Sequence, residues 1–176
     1  MSWFICDVEA DGPCPGLYSM HEFALLKVDA EGNLDQHFHA TLSPISENYI
    51  PEALAVCNRT YEETLKFEDP EAVMKRCLQW VRETNSHSRP MFMSDNNGFD
   101  WQFLNYYFWK FCGENPFGHS SANLGWLFKG MQKDTFVSFK YLRKTKHDHN
   151  ALNDCRGNAE ALLELKKRFG LKLSLK

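Results

Sequence analysis

Apolar runs separated by short polar turns dominate the first half of the chain. Residues 2–8 form an apolar run that predicts a buried central strand. Residues 21–28 and 34–42 predict a second and a third strand, joined by a hairpin-like polar turn over 29–33. A later apolar run, 90–94, predicts a fourth short strand. The first three strands are therefore expected to follow one another without a long helix between them.

Helical patterns lie between and after these strands. The predicted helices span 51–56, 70–84, 99–111, 121–131 and 150–168, whereas 135–142 has no clear pattern. Asp69 and Pro70 are typical of an N-cap and a first helical residue. Thr60 and Glu63 have the spacing of a capping box, and Gly170 follows the last helix. Tight turns join the early strands and a helix joins the later ones, so the order predicts an α/β fold with a mixed sheet.

The composition indicates one folded domain over 1–176. Hydrophobic residues make up 43% and charged residues 24% of the 176, enough for a core and a solvated surface. No apolar stretch is long enough to span a membrane, and the N-terminus has no signal-peptide pattern, so we expect a cytoplasmic protein. The six cysteines lack CxxC spacing, which favours reduced thiols over a zinc site or a disulfide framework.

Charge is distributed unevenly although the net charge is only -3. Residues 1–100 hold 17 acidic and 7 basic side chains, whereas residues 101–176 hold 6 acidic and 13 basic ones. Such a distribution suits a site that binds metal ions through carboxylates and a phosphate chain through lysines. It is equally compatible with helices that differ only in their solvated charges.

The first candidate site lies at the end of the first predicted strand. Asp7 and Glu9 are two residues apart, so in an extended chain their side chains point to the same side. Two like charges on one face repel unless a cation lies between them, and Mg²⁺ and Mn²⁺ prefer oxygen ligands. A solvated acidic loop is the alternative interpretation.

Two further carboxylates open predicted helices. Asp100 lies in the first turn of the aromatic helix, where an acid is also favoured by the helix dipole. Asp154 lies in the last helix among apolar positions, and His149 precedes that helix by one residue. A carboxylate drawn toward a core needs a partner, and a metal would serve. We interpret Asp95, five residues before Asp100, as a turn residue.

These motifs together, in this order, resemble the DEDDh branch of the DnaQ-like 3′→5′ exonucleases. The resemblance rests on D-x-E at Asp7 and Glu9, on Phe99-Asp100-x-x-Phe103-Leu104, and on H-x₄-D at His149 and Asp154. Glu22-Phe23-Ala24 on the second strand adds to it, and the match extends over roughly residues 3–168. Asp11 departs from the pattern, since many relatives have Thr there, and the segment 113–134 matches no motif.

The resemblance implies an RNase H-like fold, a mixed five-stranded sheet flanked by helices. It implies that Asp7, Glu9, Asp100 and Asp154 are metal ligands for two Mg²⁺ or Mn²⁺ ions, and that His149 is the general base. The expected reaction is hydrolysis from the 3′ end of single-stranded DNA or RNA, which releases nucleoside 5′-monophosphates. Small relatives are often dimers, so a homodimer is possible.

Aromatic and basic side chains near these motifs are candidates for substrate contacts. Phe99 and Phe103 belong to an aromatic helix whose rings are mostly expected in the core, but one or two near the site would stack on bases. Leu17 and Tyr18 are candidates to wedge against the 3′-terminal nucleotide. The basic stretch 129–146, which includes Lys144 and Lys146, would bind phosphates unless it is only a solvated loop.

Two other functions fit parts of this pattern. One alternative is that the fold serves only for nucleic-acid binding or assembly with weak catalysis, although a chain without activity has no reason to keep all four acids and the histidine. An RNase H-type endonuclease uses similar acids, but H-x₄-D on the last helix does not belong to its pattern. The sequence does not discriminate DNA from RNA, because no residue identifies itself as a 2′-hydroxyl contact.

Overall fold

A five-stranded sheet forms the centre of the computed structural model, which describes residues 2–29, 31–85 and 89–173. The strands are β1 (Trp3–Ala10), β2 (Met20–Val28), β3 (His37–Thr41), β4 (Met91–Ser94) and β5 (Ser121–Asn123). Their order in the sheet is β3-β2-β1-β4-β5. Strands β1, β2 and β3 pair antiparallel, whereas β4 is parallel to both β1 and β5. The expected mixed five-stranded sheet is confirmed.

Helices cover both faces of this sheet. They are α1 (Pro51–Val56), α2 (Tyr61–Thr64), α3 (Pro70–Thr84), α4 (Asn97–Cys112), α5 (Leu124–Gln132) and α6 (Ala151–Phe169), with a 3₁₀ turn at Lys140–Leu142. The predicted caps are present: the Asp69 side chain accepts from the N–H of Ala72, and Thr60 and Glu63 form a capping box. Gly170, at a φ of 70°, follows α6 as its left-handed cap.

Alternation along β1 assigns its side chains to two cores. Phe4, Cys6 and Val8 pack with α3 and α4 on one face of the sheet. Ile5 packs on the other face, in the cluster that contains the apolar side of α6. Asp7 and Glu9 have the same parity as Ile5, so the strand directs both carboxylates toward the α6 side of the sheet.

One predicted helix begins with a strand. Residues 121–131 were expected to be helical, but Ser121–Asn123 pair with β4 and only Leu124–Gln132 are helical. The change occurs at Asn123, whose side chain accepts from the N–H of Trp126 and so caps α5. The expectation is wrong for 121–123 because three polar or small residues carry no strand pattern of their own.

Smaller differences concern the segment between β2 and β3. The third strand begins at His37 and not at residue 34. Asn33 donates its N–H to the Asp29 carboxylate, and Gly32 has a φ of 82°, as a turn there requires. Ala30, which is part of the predicted 29–33 turn, lies outside the described residues.

All six cysteines are free thiols, and Cys6, Cys77 and Cys155 are buried. Within the described ranges, no helix has the length and apolar character needed to cross a membrane.

Candidate active site

Three carboxylates meet where β1 ends and α6 begins. One carboxylate oxygen each from Asp7, Glu9 and Asp154 lies within 4.8 Å of the other two. Asp7 and Asp154 are almost completely buried, whereas Glu9 retains some exposure. Together with Asp100 and His149, Asp7 and Glu9 line a pocket of about 250 Å³, here called the carboxylate pocket.

Asp100 is held in this pocket by the backbone of β1. Strand β4 pairs with β1 only as far as Ile5, and beyond that point the N–H of Val8 donates to Asp100 Oδ1 at 3.1 Å. The other oxygen, Oδ2, is buried and has no hydrogen-bond partner among the described residues. The divergence of two parallel strands therefore makes room for the first turn of α4, which places one carboxylate oxygen free for a ligand.

Neither carboxylate oxygen of Asp154, which is only 1% exposed, has a hydrogen-bond partner among the described residues. His147 Nδ1 lies 2.7 Å from Asp154 Oδ1 but lacks hydrogen-bond geometry, and Arg143 Nη1 is 3.9 Å from the same oxygen. Burial of a carboxylate without hydrogen bonds is costly. A cation near Asp7, Glu9 and Asp154 would remove that cost.

Burial also changes the protonation of the cluster. Desolvation, together with the neighbouring carboxylates, raises the pKa of Asp7 well above its ordinary value. Desolvation likewise raises the pKa of Asp100 well above its usual range and that of Glu9 to about 7. Without a cation, these side chains therefore hold protons at a pH where exposed carboxylates are ionised. Crowded carboxylate oxygens, of which those of Asp154 and Oδ2 of Asp100 are buried without a hydrogen bond among the described residues, fit a hard divalent cation such as Mg²⁺ or Mn²⁺.

His149 stands at the edge of the carboxylate pocket. Its backbone φ is 58°, a left-handed conformation that is uncommon for a residue other than glycine. Its Nδ1 is 3.9 Å from Glu9 Oε1. His147 also lines the pocket. The imidazole rings of His147 and His149 pack edge to face, with their centroids 4.2 Å apart. The spacing H-x₄-D does not indicate that His147 reaches the carboxylates.

Glu22 holds the beginning of α6 in place. It faces Glu9 across the β1–β2 ladder and accepts from the N–H of Ala151, at 3.3 Å, and from the side chain of Asn150. Burial raises the pKa of Glu22, but the hydrogen bond from His39 and the other donors outweigh it, so that this pKa is lower than usual. Glu22 is therefore an ionised anchor for the helix that carries Asp154.

Arg143 and Asp95 form an ion pair beside the site that the sequence patterns did not predict. Asp95 Oδ1 accepts from the N–H of Asn96, as expected of a turn residue. Its Oδ2, however, pairs with Arg143 Nη2 at 2.9 Å, and the Arg143 side chain is only 5% exposed. The interpretation of Asp95 as turn chemistry alone is therefore incomplete. No local pattern could have revealed the pair, because its members lie 48 residues apart.

The loop 143–149 is attached to α6 by several backbone contacts. Glu160 accepts from the N–H groups of Lys144 and Thr145 at 2.8 and 2.7 Å. A Cβ at Gly157 would lie 2.9 Å from the carbonyl oxygen of Thr145, so only glycine permits this approach. The side chains of Lys144 and Lys146 are exposed and do not line the carboxylate pocket, whereas Lys140 does.

The predicted substrate-contact residues lie in different environments. Phe99 is half-buried and lines the carboxylate pocket, but Phe103 is fully buried in contact with it and has no surface for a base. Leu17 is 54% exposed. Tyr18 lies against the backbone of Gly12, where any Cβ would come within 2.2 Å of its ring. The glycine therefore lets the Tyr18 ring lie directly over the segment that follows Glu9.

Comparisons with known proteins agree with this arrangement. The sequence model of the RNase T exonuclease family matches residues 4–162. The 3′-5′ DNA exonuclease Cap18 of Escherichia coli is 32% identical over 163 residues, which are 88% of this chain and 86% of that protein.

Solved structures show the same fold. Cell-death related nuclease 4 superposes with a TM-score of 0.78 at 14% identity, over 94% of this chain and 64% of its own. A zinc-bound complex of E. coli ExoI with single-stranded DNA superposes with a TM-score of 0.74 at 18% identity, over 95% of this chain. The present chain spans only 40% of that ExoI chain. From the family match over most of its length and the Cap18 identity, the chain belongs to the RNase T family of exonucleases, in the DnaQ-like group that its motifs resemble.

Proposed function

We propose that this protein is a metal-dependent 3′→5′ exonuclease that removes nucleotides from single-stranded DNA and releases nucleoside 5′-monophosphates. The observation that carries the proposal is the meeting of carboxylate oxygens of Asp7, Glu9 and Asp154 within 4.8 Å of one another, beside a pocket that Asp7 and Glu9 line together with Asp100. The name of Cap18 supports the direction and the DNA substrate, and the ExoI complex contains single-stranded DNA.

Asp7, Glu9, Asp100 and Asp154 are proposed to hold two divalent ions, Mg²⁺ or Mn²⁺. Bound there, the ions would lower the pKa of an attacking water and neutralise charge that develops on the phosphate. The protein supplies the fixed oxygens: a strand end, the first turn of α4 and the first turn of α6 each contribute at least one. Burial of Asp7, Asp100 and Asp154 restricts the conformations that these side chains can adopt.

His149 is proposed to accept the proton of the attacking water. Its ring stands beside Glu9 at the open side of the pocket and is partly exposed, so the proton has a route to solvent. A histidine is suited to this step because an imidazole exchanges protons near neutral pH. The left-handed backbone at His149 and the attachment of its loop to α6 support a fixed ring position.

A time course on end-labelled oligonucleotides tests the proposal. Single-stranded DNA labelled at its 5′ end should give a ladder that shortens from the 3′ end with Mg²⁺ or Mn²⁺, and no ladder with EDTA. An RNA of the same sequence should be degraded more slowly. A 3′-phosphate should block the reaction, because the site must receive a free 3′ end, and a circular strand should survive.

Variants connect this activity to the pocket. Asp154→Asn should abolish the ladder, whereas Glu52→Gln, a change of an exposed acid on α1, should leave it unchanged. Cleavage of the circle would identify an endonuclease. Binding of the oligonucleotide without any cleavage, under every metal tested, would favour a binding or assembly module.

A further inference from the structure

A second groove opens directly beside the carboxylate pocket. It has a volume of about 460 Å³ and is here called the α5 groove. Its lining includes Asp95, Asn96, Lys129, Phe136, Phe139 and Lys140. Asp95, Asn96 and Lys140 also line the carboxylate pocket. A ligand chain can therefore pass from one to the other without leaving the protein surface.

Phe136 is the most exposed large apolar side chain among the described residues, with 97% of its surface open to solvent. It lies on an ordered turn: Lys133 ends α5 with a φ of 54°, and Asp134 Oδ1 accepts from the N–H of Phe136 at 2.8 Å. Three residues later, Phe139 is buried in the core. Because the Phe136 ring is exposed, it contributes no hydrophobic stabilisation to the folded chain. An exposed aromatic ring at the edge of a groove favours binding of a ligand that has a planar face.

Positive charge accompanies this exposed ring. Lys129 lines the groove, and its Nζ lies 4.6 Å from the ring centroid of Trp126, which is 61% exposed. Lys140 is on the wall that the two pockets share. The acid in the groove, Asp95, is neutralised by its pair with Arg143. Exposed aromatic rings beside lysines are the combination by which proteins bind single strands without reading their sequence.

We propose that the α5 groove binds the nucleotides upstream of the 3′ end of a single-stranded DNA, with Phe136 stacking on a base and Lys129 contacting a phosphate. This inference rests on the proposed exonuclease function, because the 3′ end is assigned to the carboxylate pocket. The groove then gives the enzyme a preference for strands long enough to reach Phe136. Very short products dissociate from it more easily.

Substrates of graded length test the inference. KM and kcat are measured with Mg²⁺ on oligo-dT from a dinucleotide to a dodecamer, for the wild type and for Phe136→Ser. The change should raise KM for the long strands roughly tenfold, with kcat unchanged, since one stacked base is lost. KM for the dinucleotide should stay the same. Phe136→Trp should restore the wild-type KM, and Trp109→Ser, which removes another exposed ring on α4, should have no effect.

The outcomes separate this inference from the proposed function. If the wild type degrades DNA but Phe136→Ser has a wild-type KM at every length, the α5 groove is not a substrate site. An equal rise in KM for all lengths, the dinucleotide included, would also overturn it, because the effect would then lie at the carboxylates. If the wild type cleaves no strand of any length with any divalent ion, the proposed function itself fails.

Lys129→Ser should reduce the log–log salt slope of binding by about 0.7 for long strands only.

Discussion

Replacing Glu9 by Gln should stabilise the metal-free protein near pH 8 and have little effect near pH 5. In the folded chain Glu9 is only 13% exposed and shares its surroundings with Asp7 and Asp154. Its carboxylate loses most of its hydration on folding, and this cost exists only when the group is ionised. Glutamine has a similar shape and carries no charge, so the variant avoids the cost.

The magnitude follows from the protonation of Glu9. Burial raises its pKa from 4.5 to about 7, although the thiol of Cys57, which donates to Glu9 Oε2 at 3.0 Å, acts in the opposite direction. The folded state binds the proton more tightly than the unfolded state, so stability from this group is complete below pH 4.5 and is lost as the pH rises through 7. This rise in the pKa of Glu9 corresponds to a loss of roughly 3 kcal/mol in the free energy of unfolding of the wild type between low pH and pH 8. For a domain of this size it corresponds to about 6–12 °C in Tm.

The assay is thermal or urea unfolding in excess EDTA at the two pH values. Wild type, Glu9→Gln and the exposed-site control Glu52→Gln are compared at each pH. His21 must be considered, because its burial lowers its pKa to about 4 and it destabilises the fold as the pH falls. Both proteins contain His21, so the difference between them removes its contribution.

Two results would refute this reasoning. One is a difference in Tm between wild type and Glu9→Gln that is the same near pH 5 and near pH 8. The other is a control, Glu52→Gln, that behaves like Glu9→Gln. Addition of Mg²⁺ near pH 8 should reverse the order of the two proteins, since the wild type then gains binding energy that the variant lacks.

Three further predictions concern activity. His149→Ala should reduce kcat about 10²–10⁴-fold while substrate affinity is retained, and His147→Ala should reduce it less; the reverse order in single-turnover assays would assign the base to His147. Gly12→Ala should push away the tyrosine ring that covers it and raise KM without a loss of metal affinity, measured by steady-state kinetics at several Mg²⁺ concentrations. Changing Lys144 and Lys146 together to Ser should lower the log–log salt slope of single-strand binding by about 1.4, and an unchanged slope would show that both are only solvated.

The parts of the fold that local patterns predicted are those with strong apolar periodicity. The helix that Asp69 and Pro70 open ends at Thr84 as expected, and the last helix ends before Gly170. Strand β5 was missed because its position depends on pairing with β4 and not on its own three residues. Its existence was implied only by the family resemblance, which predicts five strands.

Local geometry predicted only part of the carboxylate cluster, and the full set of four came from the family resemblance. Asp7 and Glu9 share one side of a strand by parity alone, and the structure indeed directs both into one pocket. The meeting of β1 with α6 depends on long-range packing, so the contact of His147 with Asp154 and the pair of Arg143 with Asp95 could not be predicted from spacing. Charge partners far apart in sequence become visible only when the fold brings them together.

The attachment of the loop 143–149 to α6 has a consequence for how this enzyme can change. Asp154 lies on α6 and His149 lies on the loop. Contacts of Gly157 and Glu160 with the loop backbone hold the two together. Tyr18 and Phe136, which are proposed to contact the substrate, lie outside this loop and outside α6. Substitutions at these two positions leave the contacts between the loop and α6 unchanged, so substrate preference can vary while the proposed catalytic residues keep their relative positions.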